Sequence, residues 1–199
     1  MRNVGIFLYD EVEILDFAGP FEVFSTASRL ALRLNPMADA PFRVFTIAEH
    51  AAIVNARGGL LVAPISDFNT HPALDVLIVP GGVVTAELEK PEVIAWIARC
   101  AAQAEITASV CTGAFLLAKA GLLSGKQATT HWEDLADLRQ MFPDVFVREQ
   151  ARWVDEGAVV TSAGISAGID MSLHLVARLL GESHAIATAR QMEFDWRRA

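Results

Sequence analysis

Along its whole length the chain alternates short apolar runs with longer segments of helical period, and this alternation constrains the fold more than any other feature. Apolar runs rich in Val, Ile, Leu and Phe predict strands buried on both faces, as in a parallel sheet covered by helices. The predicted strands cover residues 4–8, 43–48, 76–79, 106–110, 127–130 and 158–162. The predicted helices cover residues 21–34, 91–103, 112–120, 133–142, 169–180 and 184–196. The pattern therefore favours an α/β fold with a mostly parallel central sheet.

No internal repeat, low-complexity tract or Pro/Ser-rich linker divides the 199 residues. A chain of this length without such divisions predicts one domain spanning residues 1–199. The apolar content of 53% and the charged content of 20% allow a large core and exclude a disordered chain. Within the domain, Asp155-Glu156-Gly157 predicts a hairpin turn before the strand at 158–162.

Charge and hydropathy limit the possible partners. The 16 basic and 24 acidic residues give a net charge of -8, opposite to the balance that binds a phosphate backbone. No apolar stretch is long enough to span a membrane, and Lys119 interrupts the longest one. The chain begins at Met1 and runs directly into a strand-like segment without an apolar leader, so we expect a cytoplasmic protein. A small molecule is therefore the expected partner, rather than a nucleic acid or a membrane.

The two cysteines, Cys100 and Cys111, differ in their surroundings, and they are too few for a disulfide framework. Cys111 stands between an apolar strand and a helix in the run Ser109-Val110-Cys111-Thr112-Gly113, which predicts a nucleophile elbow with small neighbours. The helix N-terminus is expected to lower the pKa of the Cys111 thiol. A cysteine after an apolar run is more often simply packed, but this context favours a nucleophile. Cys100 lies among alanines inside a helix and is expected to pack.

Three other turns carry candidate site residues. Gly81 and Gly82 follow the strand at 76–79, and their backbone N–H groups could serve as oxyanion donors beside Cys111. Asp16 lies in an apolar loop before a helix, where it could cap the helix or act as a proton donor and acceptor with a raised pKa. His131 follows a strand and precedes Glu133, so it is either a base with an orienting acid or a surface-turn histidine.

Metal and cofactor motifs are missing from the sequence. The other histidines share no ligand spacing with the cysteines, so we expect no zinc site. The glycines of residues 163–168 lack the pattern of a phosphate-binding loop, so we expect no nucleotide cofactor and place this loop in a pocket wall. The loops at 35–40 and 68–74 are expected to shape the pocket.

Five motifs in this order make the chain similar to a known family. The motifs are Leu15-Asp16-Phe17-Ala18-Gly19-Pro20, Val79-Pro80-Gly81-Gly82, Ser109-Val110-Cys111-Thr112-Gly113, Thr129-Thr130-His131-Trp132 and the run at residues 162–170. Together they resemble the ThiJ/PfpI superfamily, which is class I glutamine amidotransferase-like, over nearly the whole chain. Within it the chain looks most like the isonitrile hydratase branch, and it is also similar to the ligand domain of AraC-type regulators.

The resemblance implies a fold, an assembly and a site. It implies a flavodoxin-like three-layer α/β sandwich, a homodimer, and Cys111 as the nucleophile. By the isonitrile hydratase pattern, Asp16, Cys111 and Thr112 form the catalytic set, and the N–H groups of Gly82 and Thr112 are oxyanion-type donors. Gly81, Gly19 and His131 are implied in substrate binding, with no metal and no cofactor. Protease-like members place a histidine directly after the cysteine, where this chain has Thr112, which argues against proteolysis.

Other functions of the same family remain open. The fold precedes a DNA-binding helix pair in AraC-type regulators, but the sequence ends at Ala199 without such a pair, so we expect no DNA binding. The main alternative is a ligand-sensing protein, or a stress-response protein that works by oxidation of Cys111. A glyoxalase or chaperone-like activity of the same thiol is also open. A glutaminase would use a His-x-Glu dyad, and His131-Trp132-Glu133 has that spacing.

Overall fold

The computed structural model describes residues 1–198. Within that range the chain forms eleven strands and seven α-helices. The strands are β1 (Arg2–Leu8), β2 (Phe42–Ala48), β3 (Val54–Asn55), β4 (Leu61–Val62), β5 (Ser66–Asp67), β6 (Val76–Val79), β7 (Ile106–Val110), β8 (Gln127–Ala128), β9 (Phe146–Val147), β10 (Trp153–Asp155) and β11 (Val159–Ser162). The helices are α1 (Ile14–Leu34), α2 (Thr85–Leu88), α3 (Pro91–Ala101), α4 (Gly113–Lys119), α5 (Leu135–Met141), α6 (Ala167–Leu180) and α7 (Glu182–Gln191).

A seven-stranded sheet in the order β10-β11-β7-β6-β1-β2-β5 forms the centre of the molecule. Its strands pair in parallel, apart from the antiparallel hairpin of β10 and β11. Every residue of β6 and β7 is buried, as expected for strands that are covered on both faces. The prediction of a mostly parallel sheet is therefore confirmed, and so is the hairpin turn at residues 155–157.

Helices cover both faces of the sheet and make a three-layer sandwich. Helices α1, α6 and α7 pack on one another on one side, and α2, α3 and α4 pack together on the other. Gly19 allows α1 to approach α6 closely, because a Cβ at Gly19 would lie 2.9 Å from Cγ1 of Ile169. Parallel strands in such a sandwich bring their carboxyl ends to one edge, where ligands bind. The residues that follow β1, β2, β6 and β7 meet at that edge.

Most predicted elements differ from the structure by one or two residues at an end, and the main differences concern two helices and one strand. Helix α1 begins at Ile14 rather than at residue 21, because the apolar face that includes Phe17 and Val23 packs into the core and keeps Pro20 within the helix. Of the strand predicted at 127–130, Gln127–Ala128 forms a strand, and it pairs with β9 outside the main sheet. Helix α7 ends at Gln191 rather than at 196, since the following residues turn back to α6, where the N–H of Arg197 donates to Asp170.

Candidate active site

Cys111 lies at the predicted strand-to-helix elbow. It follows β7 directly, with a backbone φ of 56°, which is unusual for a residue other than glycine and marks a constrained turn. Gly113 permits this turn, because a Cβ there would collide with the carbonyl oxygen of Val79. The hydroxyl of Thr130 donates a hydrogen bond of 2.8 Å to the carbonyl oxygen of Cys111. The backbone of Cys111 is thereby held at the edge of the sheet, and the residue is 7% exposed.

Asp16 is a fully buried carboxyl group inside the first turn of α1, rather than a loop residue. Glu13 occupies the N-cap position, so Asp16 does not cap the helix. The N–H of Gly81 donates a 3.0 Å hydrogen bond to Oδ2 of Asp16. Oδ1 has no hydrogen-bond partner within residues 1–198. The Cys111 thiol and the N–H of Ile165 lie close enough to influence the ionisation of Asp16. The capping role that the sequence allowed is therefore wrong, and the role in proton transfer stays a prediction.

The pKa values of Asp16 and Cys111 are both raised. Burial, reinforced by the charge of Glu13, raises the pKa of Asp16 from 3.8 to about 7. Burial and then the charge of Asp16 raise the pKa of Cys111 to about 12. The expected lowering of the Cys111 pKa is therefore wrong, because burial and the nearby carboxylate outweigh the N–H of Thr112 at the start of α4. Near neutral pH the sulfur is therefore a thiol, and Asp16 exists both as a carboxylic acid and as a carboxylate.

Thr112 and Gly82 are tied together by two hydrogen bonds. The Thr112 hydroxyl donates to the carbonyl oxygen of Gly82 at 2.9 Å and accepts from the N–H of Gly82 at 2.9 Å. A Cβ at Gly81 would lie 2.6 Å from the backbone nitrogen of Thr112 and 2.8 Å from Cβ of Cys111. Two of the three expected oxyanion donors are therefore occupied, the N–H of Gly82 by Thr112 and the N–H of Gly81 by Asp16. The third, the backbone N–H of Thr112, lies within hydrogen-bonding reach of the Cys111 sulfur, and its role as a donor stays a prediction. The two glycines instead hold Thr112 and Asp16 in place around the cysteine.

A cavity of about 220 Å³ opens onto the sulfur. Its lining residues are Glu13, Arg57, Gly82, Cys111, Thr112, His131, Glu133, Asp134 and Ile165. Ile165 belongs to the loop that was expected to form a pocket wall, and it has a φ of 49°. The loops at 35–40 and 68–74 do not line this cavity, so that expectation is wrong. Phe68 instead stacks on Trp96 at 4.1 Å, away from the cysteine.

His131 lines the cavity with acidic neighbours of its own. Its Nδ1 lies 3.4 Å from Oδ2 of Asp134 and 3.7 Å from Oε2 of Glu133. A Cβ at Gly164 would collide with the His131 ring, so the loop packs directly on the imidazole. Of the predicted site residues, the structure therefore brings Asp16, Gly81, Gly82, Thr112 and His131 around Cys111. Gly19 lies instead at the contact between α1 and α6, and Cys100 is half-buried on α3.

Three charged residues of the cavity were missed by sequence reasoning. Arg57 and Glu13 form a 3.3 Å ion pair at the cavity, and Asp134 approaches His131 from the next helical turn. Glu13 stands three residues before Asp16, and this proximity was its one sequence signal. Arg57 comes from the β3–β4 hairpin, whose two-residue strands are too short to show a period. Long-range packing, rather than any local pattern, brings it to the cysteine.

Within residues 1–198, no helix is both long and apolar enough to cross a membrane. No group of three or more His, Cys, Asp or Glu side chains in the same part of the chain is placed to hold a metal ion.

Comparison with known proteins gives an enzyme and a group of regulators as relatives. The chain is 34% identical over 193 residues to an isonitrile hydratase of Pseudomonas putida, covering 96% of this chain and 78% of that protein. It is 30% identical over 194 residues to the HTH-type transcriptional regulator GbdR of Pseudomonas aeruginosa. That match covers 98% of this chain and 51% of the regulator, so the chain spans about half the regulator's length.

Solved structures show the same architecture. A ThiJ/PfpI family protein from Pseudomonas syringae superposes with a TM-score of 0.85 and 28% identity, covering 99% of this chain and 76% of that one. Drosophila melanogaster DJ-1beta, at 17% identity, has the same fold with a TM-score of 0.80 over 98% of this chain and 99% of its own. The flavodoxin-like prediction is confirmed. The model of the DJ-1/PfpI family matches residues 2–178, and the chain belongs to this family.

Proposed function

We propose that the protein is an isonitrile hydratase-like enzyme that converts an isonitrile and water into an N-substituted formamide through a thioimidate on Cys111. The pairing of a buried Cys111 thiol with a buried Asp16 carboxyl group supports this proposal most strongly. The pKa of Asp16, raised to about 7, suits a group that both accepts and donates a proton near neutral pH. The relationship to an isonitrile hydratase supports the choice of substrate class.

In the first half of the reaction, the hydrogen and the sulfur of the Cys111 thiol both become bonded to the isonitrile carbon. Asp16 takes the proton from the sulfur of Cys111 and delivers it to that carbon, which becomes electrophilic on protonation. The sulfur then forms a bond to the same carbon, and the carbon–nitrogen triple bond becomes a double bond. The product is a thioimidate, and the proton removed from sulfur has become its C–H hydrogen.

In the second half, water replaces the sulfur. The Thr112 hydroxyl already donates its hydrogen to Gly82 and accepts one from Gly82, so its remaining lone pair can accept a hydrogen bond from water. Water adds to the thioimidate carbon, and one of its protons moves to the nitrogen. The carbon–sulfur bond then breaks as the carbonyl forms. The second water proton returns to the sulfur of Cys111, so the enzyme is regenerated and the atoms balance.

The surroundings of Cys111 also bear on the redox alternative. Oxidation sensors use exposed cysteines with a lowered pKa. Cys111 is 7% exposed and has a pKa raised to about 12. These features favour a nucleophile that is activated only when its proton moves to Asp16. They argue against a thiol that reacts freely with peroxide.

The test is formamide production from cyclohexyl isonitrile, followed by chromatography. The wild-type protein and Cys100→Ala are expected to form N-cyclohexylformamide at similar rates, because Cys100 lies outside the cavity. Cys111→Ala is expected to fall to the uncatalysed rate, and Asp16→Asn is expected to lose most of the activity. Formamide production by Cys111→Ala at the wild-type rate, or none by the wild type, would overturn the proposal.

A further inference from the structure

A second cavity, of about 150 Å³, lies at the same edge of the sheet but shares no lining residue with the cysteine cavity. It opens where β1 and β2 end side by side, with Leu8 paired to Ala48. Its lining residues are Phe7, Leu8, Tyr9, Asp10, Ala48, Glu49, His50, Ala52, Ile53, Val54, Glu87 and Lys90. Carboxyl ends of neighbouring parallel strands are the general location of ligand sites in open α/β sheets. Nothing in the proposed hydration reaction uses this cavity.

Glu87 is the feature that points to a ligand in this cavity. The residue is 3% exposed, and Oε2 has no hydrogen-bond partner within residues 1–198. Its other oxygen accepts a 2.9 Å hydrogen bond from Nζ of Lys90. A buried carboxylate oxygen without a donor is costly, and native proteins nearly always provide one. No donor of residues 1–198 reaches Oε2, so a bound molecule with an N–H or O–H group would satisfy it.

The charges around Glu87 indicate which donor fits. Asp10, Glu49 and Glu87 supply three carboxylates to the cavity, whereas Lys90 supplies one ammonium group. Lys90 is shared, because its Nζ also donates to Oε2 of Glu49 at 3.2 Å. His50 is largely exposed and lies 3.4 Å from Oε1 of Glu49. One ammonium group leaves negative charge uncompensated, so a cationic donor is favoured over a neutral or anionic one.

The rest of the wall is apolar. Ala48, Ile53 and Val54 are among the apolar residues that line the cavity, and Tyr9 lines it as well. The Tyr9 hydroxyl is already used, since it donates a 3.0 Å hydrogen bond to the carbonyl oxygen of Pro80. The available volume is about five times the roughly 30 Å³ that a water molecule occupies in the liquid. The cavity therefore suits a charged nitrogen attached to a short hydrocarbon chain.

We propose that this cavity is a second ligand site, which binds a small primary ammonium compound with its NH₃⁺ group on Oε2 of Glu87 and its short alkyl chain against Ile53 and Val54. The site is distinct from the cysteine cavity, and its occupancy does not depend on isonitrile hydration. A primary ammonium group is favoured over a quaternary one, because Oε2 needs a hydrogen donor as well as a positive charge.

The test is a titration with n-propylammonium chloride at constant ionic strength, followed by the backbone amide NMR signals of residues 48–54 and 85–90. Saturable shifts confined to these residues are expected for propylammonium, with none for 1-propanol or propionate. Tetramethylammonium is expected to bind at least about tenfold more weakly. The proposal would be overturned by equal shifts with 1-propanol. It would also be overturned by the absence of a saturable shift with propylammonium, which is the result expected of a cavity that holds water only.

Two variants and a matched control locate the site. Glu87→Gln keeps the shape but removes the charge, and it is expected to weaken propylammonium binding by about tenfold or more. Glu89→Gln removes the same charge two residues away on an exposed side chain, and it is expected to bind as the wild type does. Should Glu87→Gln fail to fold, Ala52→Phe provides the second variant, because it blocks the cavity from an exposed position without changing any charge. Undiminished binding in Ala52→Phe would overturn the proposal.

Discussion

Replacement of Asp16 by Asn is expected to change how the stability of the protein depends on pH. The pKa of Asp16 rises from 3.8 to about 7 because the carboxyl group is buried. Between pH 3.8 and about 7, Asp16 therefore keeps its proton in the native state, whereas it has lost the proton in the unfolded chain. The stabilisation from this proton is fully present below pH 3.8 and is lost as the pH rises to about 7. Asn cannot ionise, and its carbonyl oxygen can still accept the hydrogen bond from Gly81.

The size of the effect follows from the pKa shift. Each pKa unit corresponds to about 1.4 kcal/mol. Ionisation of Asp16 is therefore expected to lower the free energy of unfolding by about 4 kcal/mol between acid and neutral pH. Relative to the wild type, Asp16→Asn should gain about this much stability across that interval, although it loses activity. The gain is an upper value, since water that enters on ionisation would reduce it.

Urea denaturation of both proteins at a series of pH values from 4 to 8 measures the difference directly. Asp39→Asn is the matched control, because it removes the same charge from an exposed loop. The variant Asp39→Asn should follow the wild-type curve in shape. If the difference between Asp16→Asn and the wild type stayed constant within about 1 kcal/mol, Asp16 could not have the raised pKa on which the proton transfer depends.

Three further predictions concern individual contacts. Thr112→Val should reduce kcat for cyclohexyl isonitrile about tenfold or more, because water loses its acceptor, and steady-state kinetics checks this. Gly81→Ala should lower kcat/KM and destabilise the fold by about 2 kcal/mol in thermal unfolding, since its Cβ would lie 2.8 Å from Cβ of Cys111. Asp170→Ala should cost about 3 kcal/mol in urea denaturation because it leaves Arg152 without its buried partner; a change below about 1 kcal/mol would contradict this.

The sequence predicted those parts of the fold that local periodicity specifies. Strands β6 and β7 have the predicted bounds, because each is a short run buried on both faces. The β3–β4 hairpin and the edge strand β5 were missed, since strands of two residues have no period to detect. Residues 127–130 have a strand-like composition, but tertiary packing places most of them outside the main sheet. The single-domain organisation, the homodimer and the cytoplasmic location stay predictions.

The composition of the site was more predictable than its electrostatics. The rule that ligands gather at the carboxyl ends of parallel strands was sufficient to select Cys111, Gly81 and Gly82. Burial cannot be read from a local motif, so the sequence suggested a lowered pKa for Cys111, where the structure gives a raised one. The hydrogen bonds that occupy the glycine N–H groups depend on contacts between residues distant in sequence, and no local pattern reveals them. The catalytic roles of Asp16, Cys111 and Thr112 stay proposals.

Covalent addition at Cys111 is tested most directly by the mass of the protein during turnover. Thr112→Val, quenched with acid soon after mixing with cyclohexyl isonitrile, should gain the mass of one isonitrile molecule. Peptide mapping should place this mass on Cys111 and leave Cys100 unmodified, while Asp16→Asn should show no adduct. A thioimidate intermediate would be contradicted by two results together. The wild type would consume isonitrile although neither it nor Thr112→Val carries an adduct on Cys111, and Cys111→Ala would keep full activity.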